Sequence, residues 1–354
     1  DAGGIMLGKT TSPEFGWKGI GDSPVTGLTR NPWNPAMTTG GSSAGAGAAA
    51  AAGLGPVHQG SDGAGSIRIP SGFCGIYGLK PSYGRVPMWP VSNTDYASHV
   101  GPMTRTVADA ALMLAVMAGP DDWDRTSLDG APDDYLGRLH EGVRGLRVAW
   151  SPDLGGLRVD SEVASVVREA ARAFEQLGCV VEEVKPGFAD SHDLIRCTWS
   201  AHEAGNYAQY LREWRDRMDP GLVACIEDGL RYSVVDYIEA RGRKLAYWDS
   251  VRPLFETYSL LLTPTLSVAA FPVGRLNPEH WPQHRWDWIE WASFSYPFNF
   301  TGQPAATVPA GFTPAGLPVG LQIVGRRFAD LTVLRASAAF ETARPWAGRR
   351  PPLD

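Results

Sequence analysis

The sequence predicts a mixed α/β fold, one domain in which helices lie on the faces of a β-sheet. Three observations carry this. "GLRVAWSPD", a segment from Asp160 to Leu177 with apolar residues at helical spacing, and "GCVVEEV" make a strand–helix–strand run. "SLLLTPTL", "PAATVPAG" and "VGLQIVG" are short apolar strands, and "LTVLRASAAFETA" is a closing helix. The chain has 354 residues, 44% hydrophobic and 20% charged, enough to bury a substantial core.

The remaining elements follow in order. "GIMLGKT" reads as a short buried strand, and residues 10–41, rich in Pro, Gly, Thr and Asn, as an ordered loop. Ala44 to Leu54 is nearly all Ala and Gly, and its alanines favour a helix. "VHQGSDGAGS" is a strand ending in a tight glycine turn. "TVADAALMLAVMAG" is an amphipathic helix capped by Thr106 or Thr104 and stopped at Gly119-Pro120. Residues 190–258 are mainly helical. There is no repeat and no clean linker, so 1–354 reads as a single domain, with 120–260 as a partly covering, mainly helical region.

Composition narrows the partners. The net charge is −6 and the basic residues are scattered, which points away from nucleic acid and anionic membranes. No apolar run is long enough to span a bilayer. Cys74, Cys179, Cys197 and Cys225 are far apart with no CxxC, which predicts four free thiols and a reducing, cytoplasmic compartment.

The stretch "GGSSAGAGAAAAAGLGPVHQGSDGAGS", Gly40 to Ser66, is the feature that asks for chemistry. A flexible linker has this composition, but structured segments flank it closely. A phosphate-binding loop needs fixed glycine and lysine spacings that "GSDGAGS" lacks. Nucleophilic catalysis fits better. A reactive Ser needs a base and backbone N–H groups aimed at the developing oxyanion, and residues with little side chain allow that approach. The turn is not the GxSxG elbow, because Ile67 and Arg68 follow Ser66. None of the seven histidines stands in a setting that marks a triad. "HWPQH" (280–284) has the spacing of a metal pair, but Pro282 disfavours the helix that would align the rings, so an ordinary loop is expected.

Residues 40–87, "GGSSAGAGAAAAAGLGPVHQGSDGAGSIRIPSGFCGIYGLKPSYGRVP", resemble the signature of the amidase signature family. "IMLGKTTSPEF" resembles its lead-in and "SYPFNFTGQPAATVPAGFTPAGLPVGLQIVG" (295–325) its C-terminal segment. The resemblance implies a large, mixed, twisted sheet covered on both faces by helices. It implies Ser66 as nucleophile, and Ser42 as a bridging serine after a cis peptide bond that relays the proton to a neutral lysine. The backbone amides of Gly63, Ala64, Gly65 and Ser66 would form the oxyanion hole. Ser43, Asp62 and Arg68 would support it, the last two as an ion pair. No metal or organic cofactor is implied. The substrate would be a small-molecule amide, with no nucleic-acid or membrane partner, and a homodimer is compatible with this.

Two departures stand out. Ala64 occupies a position where the family usually has Gly. The family's lysine, in a "KD" motif upstream of the bridging serine, has no counterpart among Lys9, Lys18, Lys80, Lys185 and Lys244. Lys9 and Lys80 match non-catalytic signature positions, and Lys18, Lys185 and Lys244 read as solvated surface residues. The expectation is an N-terminally incomplete form of a longer enzyme, with the fold's N-terminal part missing and little activity without it. Two alternatives stand beside the amide hydrolase. One is the A component of an amidotransferase, releasing ammonia for tRNA-linked substrates, which commonly has Gln where "SIRIPS" has Ile69. The other is a catalytically dead binding protein on the same scaffold. Trp286, Trp288 and Trp291 either line an apolar pocket or are packing residues.

Overall fold

The computed structural model describes residues 2–94 and 96–353. Two antiparallel ribbons come first: β1 (Asp22–Ser23) with β2 (Gly27–Leu28), and β3 (Arg30–Asn31) with β4 (Asn34–Thr38). Next are α1 (Ala44–Ala52), β5 (Val57–Asp62), α2 (Arg68–Cys74), β6 (Tyr77–Lys80), β7 (His99–Thr104) and α3 (Val107–Met117). The strand–helix–strand run appears as β8 (Arg147–Trp150), α4 (Ser161–Ala171) with the short α5 (Ala173–Gln176), and β9 (Val180–Glu183). The helical region is α6 (His192–Tyr207), α7 (Leu211–Trp214), α8 (Pro220–Gly229) and α9 (Val234–Thr257). The chain continues through β10 (Leu260–Pro264), α10 (Pro297–Phe300), β11 (Ala305–Phe312), β12 (Pro318–Gly325) and α11 (Asp330–Ala343).

Eight strands form one mixed sheet in the order β5-β7-β6-β11-β12-β10-β8-β9. The pairs are antiparallel from β5 to β10, and β10–β8 and β8–β9 are parallel. The parallel edge is where the helical crossover of α4 and α5 joins β8 to β9, as such pairs require. Strand alternation sorts the two faces. Val308, Leu321, Ile323, Leu260 and Leu262 pack with residues of α3, α4 and α11 in the largest core cluster. Gln322, Leu261 and Val324 point the other way, toward α2 and α9. Gln322 sits in register between Thr307 and Thr263, so the centre of this second face is polar.

Local signals account for the helix ends. Thr106 accepts a bond from the Asp109 amide and starts α3. Ser233 and Asp236 form a reciprocal capping box at α9. α1 ends at Gly53, which takes φ +77°.

Three expectations need correction. "GIMLGKT" is not a buried strand: among the described residues it pairs with nothing, and Ile5, Met6 and Leu7 are more than four-fifths exposed. Its apolar run signalled a strand, but a strand needs a neighbouring ladder. Lys18 is buried, not solvated, and bonds Asp22 at 2.9 Å and Asp219 at 2.5 Å. Lys244 is also buried, with its ammonium 5.7 Å from the Phe300 ring. Burial of these two involves Asp219 and Phe300, distant in sequence, which local polarity does not reveal. Lys185 is exposed. The four cysteines are free and buried. Among the described residues no helix is long and apolar enough to cross a membrane.

Candidate active site

The turn that follows β5 is held by one buried ion pair. Asp62 ends β5 and Arg68 begins α2, and neither side chain has any exposure. Arg68 uses five N–H bonds: Nε and Nη2 to the two Asp62 oxygens, Nη2 to Asn299 Oδ1, and Nη1 to Ser295 O and Gln322 Oε1. That exhausts a guanidinium's donors. Asp62 also accepts from the amides of Gly65 and Ile67, at 2.7 and 3.2 Å, and from Asn299 Nδ2 at 2.9 Å. Burial alone would raise the Asp62 pKa. The Arg68 charge and hydrogen bonds outweigh it and hold the carboxyl well below the usual carboxylate range.

This arrangement fixes which amides are available. The Gly65 N–H is spent on Asp62. Gly63, Ala64 and Ser66 donate to no described residue, so three of the four expected oxyanion amides are unengaged and the fourth is not. Gly65 takes φ +125°, and a Cβ there would lie 2.5 Å from Ser295 Oγ. Ala64 does not have positive φ, so its methyl group is accommodated, and its carbonyl accepts from Ser295 Oγ at 2.7 Å.

Ser42 approaches the same turn from the other side. The Gly41–Ser42 peptide bond is cis. A side chain at Gly41 would come within 2.6 Å of the Ile20 carbonyl, so only glycine fits. Ser43 ties this segment down: its amide donates to Ser66 O at 3.3 Å, and its hydroxyl bonds both the carbonyl and the amide of Ser61 at 3.2 Å. Ser42 and Ser66 are 7% and 4% exposed, and both open on one cavity of about 550 Å³. This is within the usual size of a small-molecule site.

The cavity walls come largely from residues the sequence did not single out. α6 supplies Trp199, His202, Glu203, Asn206 and Tyr207, and the N-terminal part of the chain supplies Phe15 and Gly16. Residues 90–94 and Ser98 close the far side, with Asn93 Nδ2 donating to Asn206 Oδ1 at 2.6 Å. Positions 199, 203 and 207 recur at four-residue spacing and so share one helix face. An acid within that stripe was the available signal. Asn299, Ser295 and Gln322 were also missed as supports. Their signal was polarity inside segments that otherwise read as apolar.

Trp286, Trp288 and Trp291 do not line the cavity. All three are buried in a hydrophobic cluster, and their indoles donate to Asp228, to the Trp17 carbonyl and to the Leu276 carbonyl. They are packing residues. "HWPQH" is irregular loop, and no cluster of metal-ligating side chains occurs among the described residues. Lys80 is fully buried and donates to the carbonyls of Gln303 and Pro81. Burial, with Arg68 adding to it, pushes its ammonium pKa well down. It does not reach the cavity, nor do the other four lysines.

Comparison with known proteins identifies the family. The family model described as Amidase matches residues 1–334. An acylamidase of Rhodococcus erythropolis is 43% identical over 99% of this chain and 74% of its own length. The glutamyl-tRNA(Gln) amidotransferase A subunit of Moorella thermoacetica is 35% identical over 100% of this chain and 76% of its own. The crystal structure of a bacterial aryl acylamidase of the amidase signature family superposes with a TM-score of 0.90 at 36% identity, covering 99% of this chain and 76% of that one. With a match that spans nearly all of its length, the chain belongs to the amidase signature family.

Proposed function

We propose that this amidase hydrolyses the C–N bond of a carboxylic amide through an acyl-enzyme on Ser66. Ser42 relays the proton of Ser66, and the final base is a lysine other than the five of this chain. The observation that carries this is that Ser42, Gly63 and Ser66 line one cavity, on a turn where the amides of Gly63, Ala64 and Ser66 donate to no described residue.

The Ser66 oxygen attacks the amide carbonyl carbon, and the carbonyl π electrons move onto oxygen. The amides of Gly63, Ala64 and Ser66 are suited to hold that oxyanion, since they are fixed in place before the reaction. As the tetrahedral intermediate collapses, the C–N bond breaks and the amine leaves with the relayed proton. Water then attacks the Ser66 ester by the same route and releases the carboxylic acid.

An acylamidase is favoured over the amidotransferase component, on identities of 43% against 35%. A fluorophosphonate probe on the full-length protein tests the proposal. Labelling that disappears in Ser66→Ala, together with turnover of aliphatic or aryl amides, is the expected result. Labelling that persists in Ser66→Ala overturns Ser66 as the nucleophile, and no labelling of the wild type leaves a binding protein on this scaffold. Co-purification with a second protein, with ammonia release from glutamine, favours the amidotransferase.

A further inference from the structure

The cavity contains a charged-type side chain that the acyl-transfer chemistry does not use. Glu203 lines it from α6, yet is only 8% exposed, and its Oε2 has no hydrogen-bond partner among the described residues. No described lining residue is another carboxylate, a lysine or an arginine. A buried carboxyl without a partner is unfavourable, and a donor brought by a ligand removes that penalty.

Its surroundings say what kind of donor. Trp199, one turn earlier on α6, borders the Ser66 turn: a Cβ on Gly63 would lie 3.6 Å from its ring. Tyr207, one turn later, stacks on Phe15 at 4.1 Å. Gly16, next to Phe15, packs against Ser42 Oγ. Glu203 therefore stands between aromatic walls, about 6 Å along the helix from the residue that touches the oxyanion turn. Aromatic faces around a lone carboxyl suit an ammonium group on an apolar stem, by charge and by cation–π attraction.

We infer that Glu203 is the specificity residue of this cavity, and that it selects amides carrying a primary amine on a short alkyl or aryl stem. This rests on the reading of the cavity as the amide pocket. Glu203 touches the substrate's amine, not the reacting atoms. Burial raises the free carboxyl to a pKa of about 8, so it is mostly protonated at pH 7. An arriving ammonium ionises it, and the carboxyl proton passes to solvent.

The test is calorimetric binding at pH 7 of phenethylamine and of 2-phenylethanol, a neutral probe of the same size, to the full-length protein. The expected result is about a tenfold or greater preference for the amine in the wild type, lost in Glu203→Gln. The preference should survive in Ser66→Ala, so that failure of the nucleophile assignment and failure of this proposal are read separately. In the wild type, heats in two buffers of different ionisation enthalpy should show proton release with the amine and none with the alcohol. Equal affinity for the two probes, absence of binding, a preference that persists in Glu203→Gln, or amine binding without proton release overturns the proposal.

Discussion

Arg68 and Asp62 form a two-bond ion pair with no solvent exposure, Nε to Oδ2 at 2.9 Å and Nη2 to Oδ1 at 3.0 Å. The pair closes the turn that bears Ser66 and ties it to the sheet through Gln322. Lysine keeps the charge but not the planar fork, and cannot reach Asp62, Asn299, Ser295 and Gln322 together. Arg68→Lys should therefore lower stability by about 3–5 kcal/mol, the loss typical of a broken buried pair. Urea denaturation with circular dichroism measures this. A loss below about 1 kcal/mol, the level of an exposed pair, would show that the guanidinium network is not what holds the turn.

Gly65→Ala meets two obstacles at once. The backbone stands at φ +125°, and the new methyl carbon would sit 2.5 Å from Ser295 Oγ. The backbone conformation alone is unfavourable for alanine by about 1–3 kcal/mol. Relief by moving Ser295 breaks its bond to Ala64 O and displaces a neighbouring amide. Amide turnover should fall more steeply than stability, with the loss in kcat rather than KM. Unchanged turnover at reduced melting temperature would separate the turn's shape from its chemistry.

The tryptophans divide by position. Trp288 is fully buried, whereas Trp199 is partly exposed at the cavity and packs edge-on against it at 5.8 Å. Trp288→Ala should destabilise by about 3–5 kcal/mol, as expected for a large core truncation. Trp199→Ala should cost less stability and change KM across a panel of aryl and alkyl amides. If Trp288→Ala also changes the substrate profile at full stability, the cavity extends into that core.

Much of this was legible because short-range patterns decided it. β8, β10, β11 and β12 are apolar runs bounded by turn residues, and Thr106 marks the start of α3 by its own chemistry. Ser66 stood out because the Gly/Ala stretch leaves so few other side chains, whereas Ser42, Asp62 and Arg68 were marked by the resemblance to the amidase signature. The cavity walls were not legible. Which face of α6 looks inward depends on how it packs against α8 and α9, and α9 alone begins twenty-seven residues after α6 ends. Lys18 shows the same limit: one of its two carboxylate partners, Asp219, is 201 residues away, so a lysine that looked solvated is paired in the interior.

Glu203 gives the protein a pH dependence of defined sign. Its carboxyl is raised from 4.5 to about 8 by burial, so between those values the folded state keeps a proton that the unfolded chain has lost. Stability should then fall as pH rises through this window, by up to about 1.4 kcal/mol per unit, and level off above it. His202, beside it on the cavity wall, and the other titratable neighbours are common to the wild type and to Glu203→Gln, so the difference between the two proteins isolates Glu203. Tyr207 on the same helix is itself raised to about 12, and burial pushes the Cys225 thiol on α8 up as well. Glu203→Gln is neutral at every pH and keeps the shape of the protonated acid. It should match the wild type near pH 4.5 and exceed it progressively toward pH 8.5. Urea midpoints of both proteins at pH 4.5, 6.5 and 8.5 measure the gap. A gap that stays constant across the three would mean that Glu203 is ionised in the folded protein throughout, with a partner already in place.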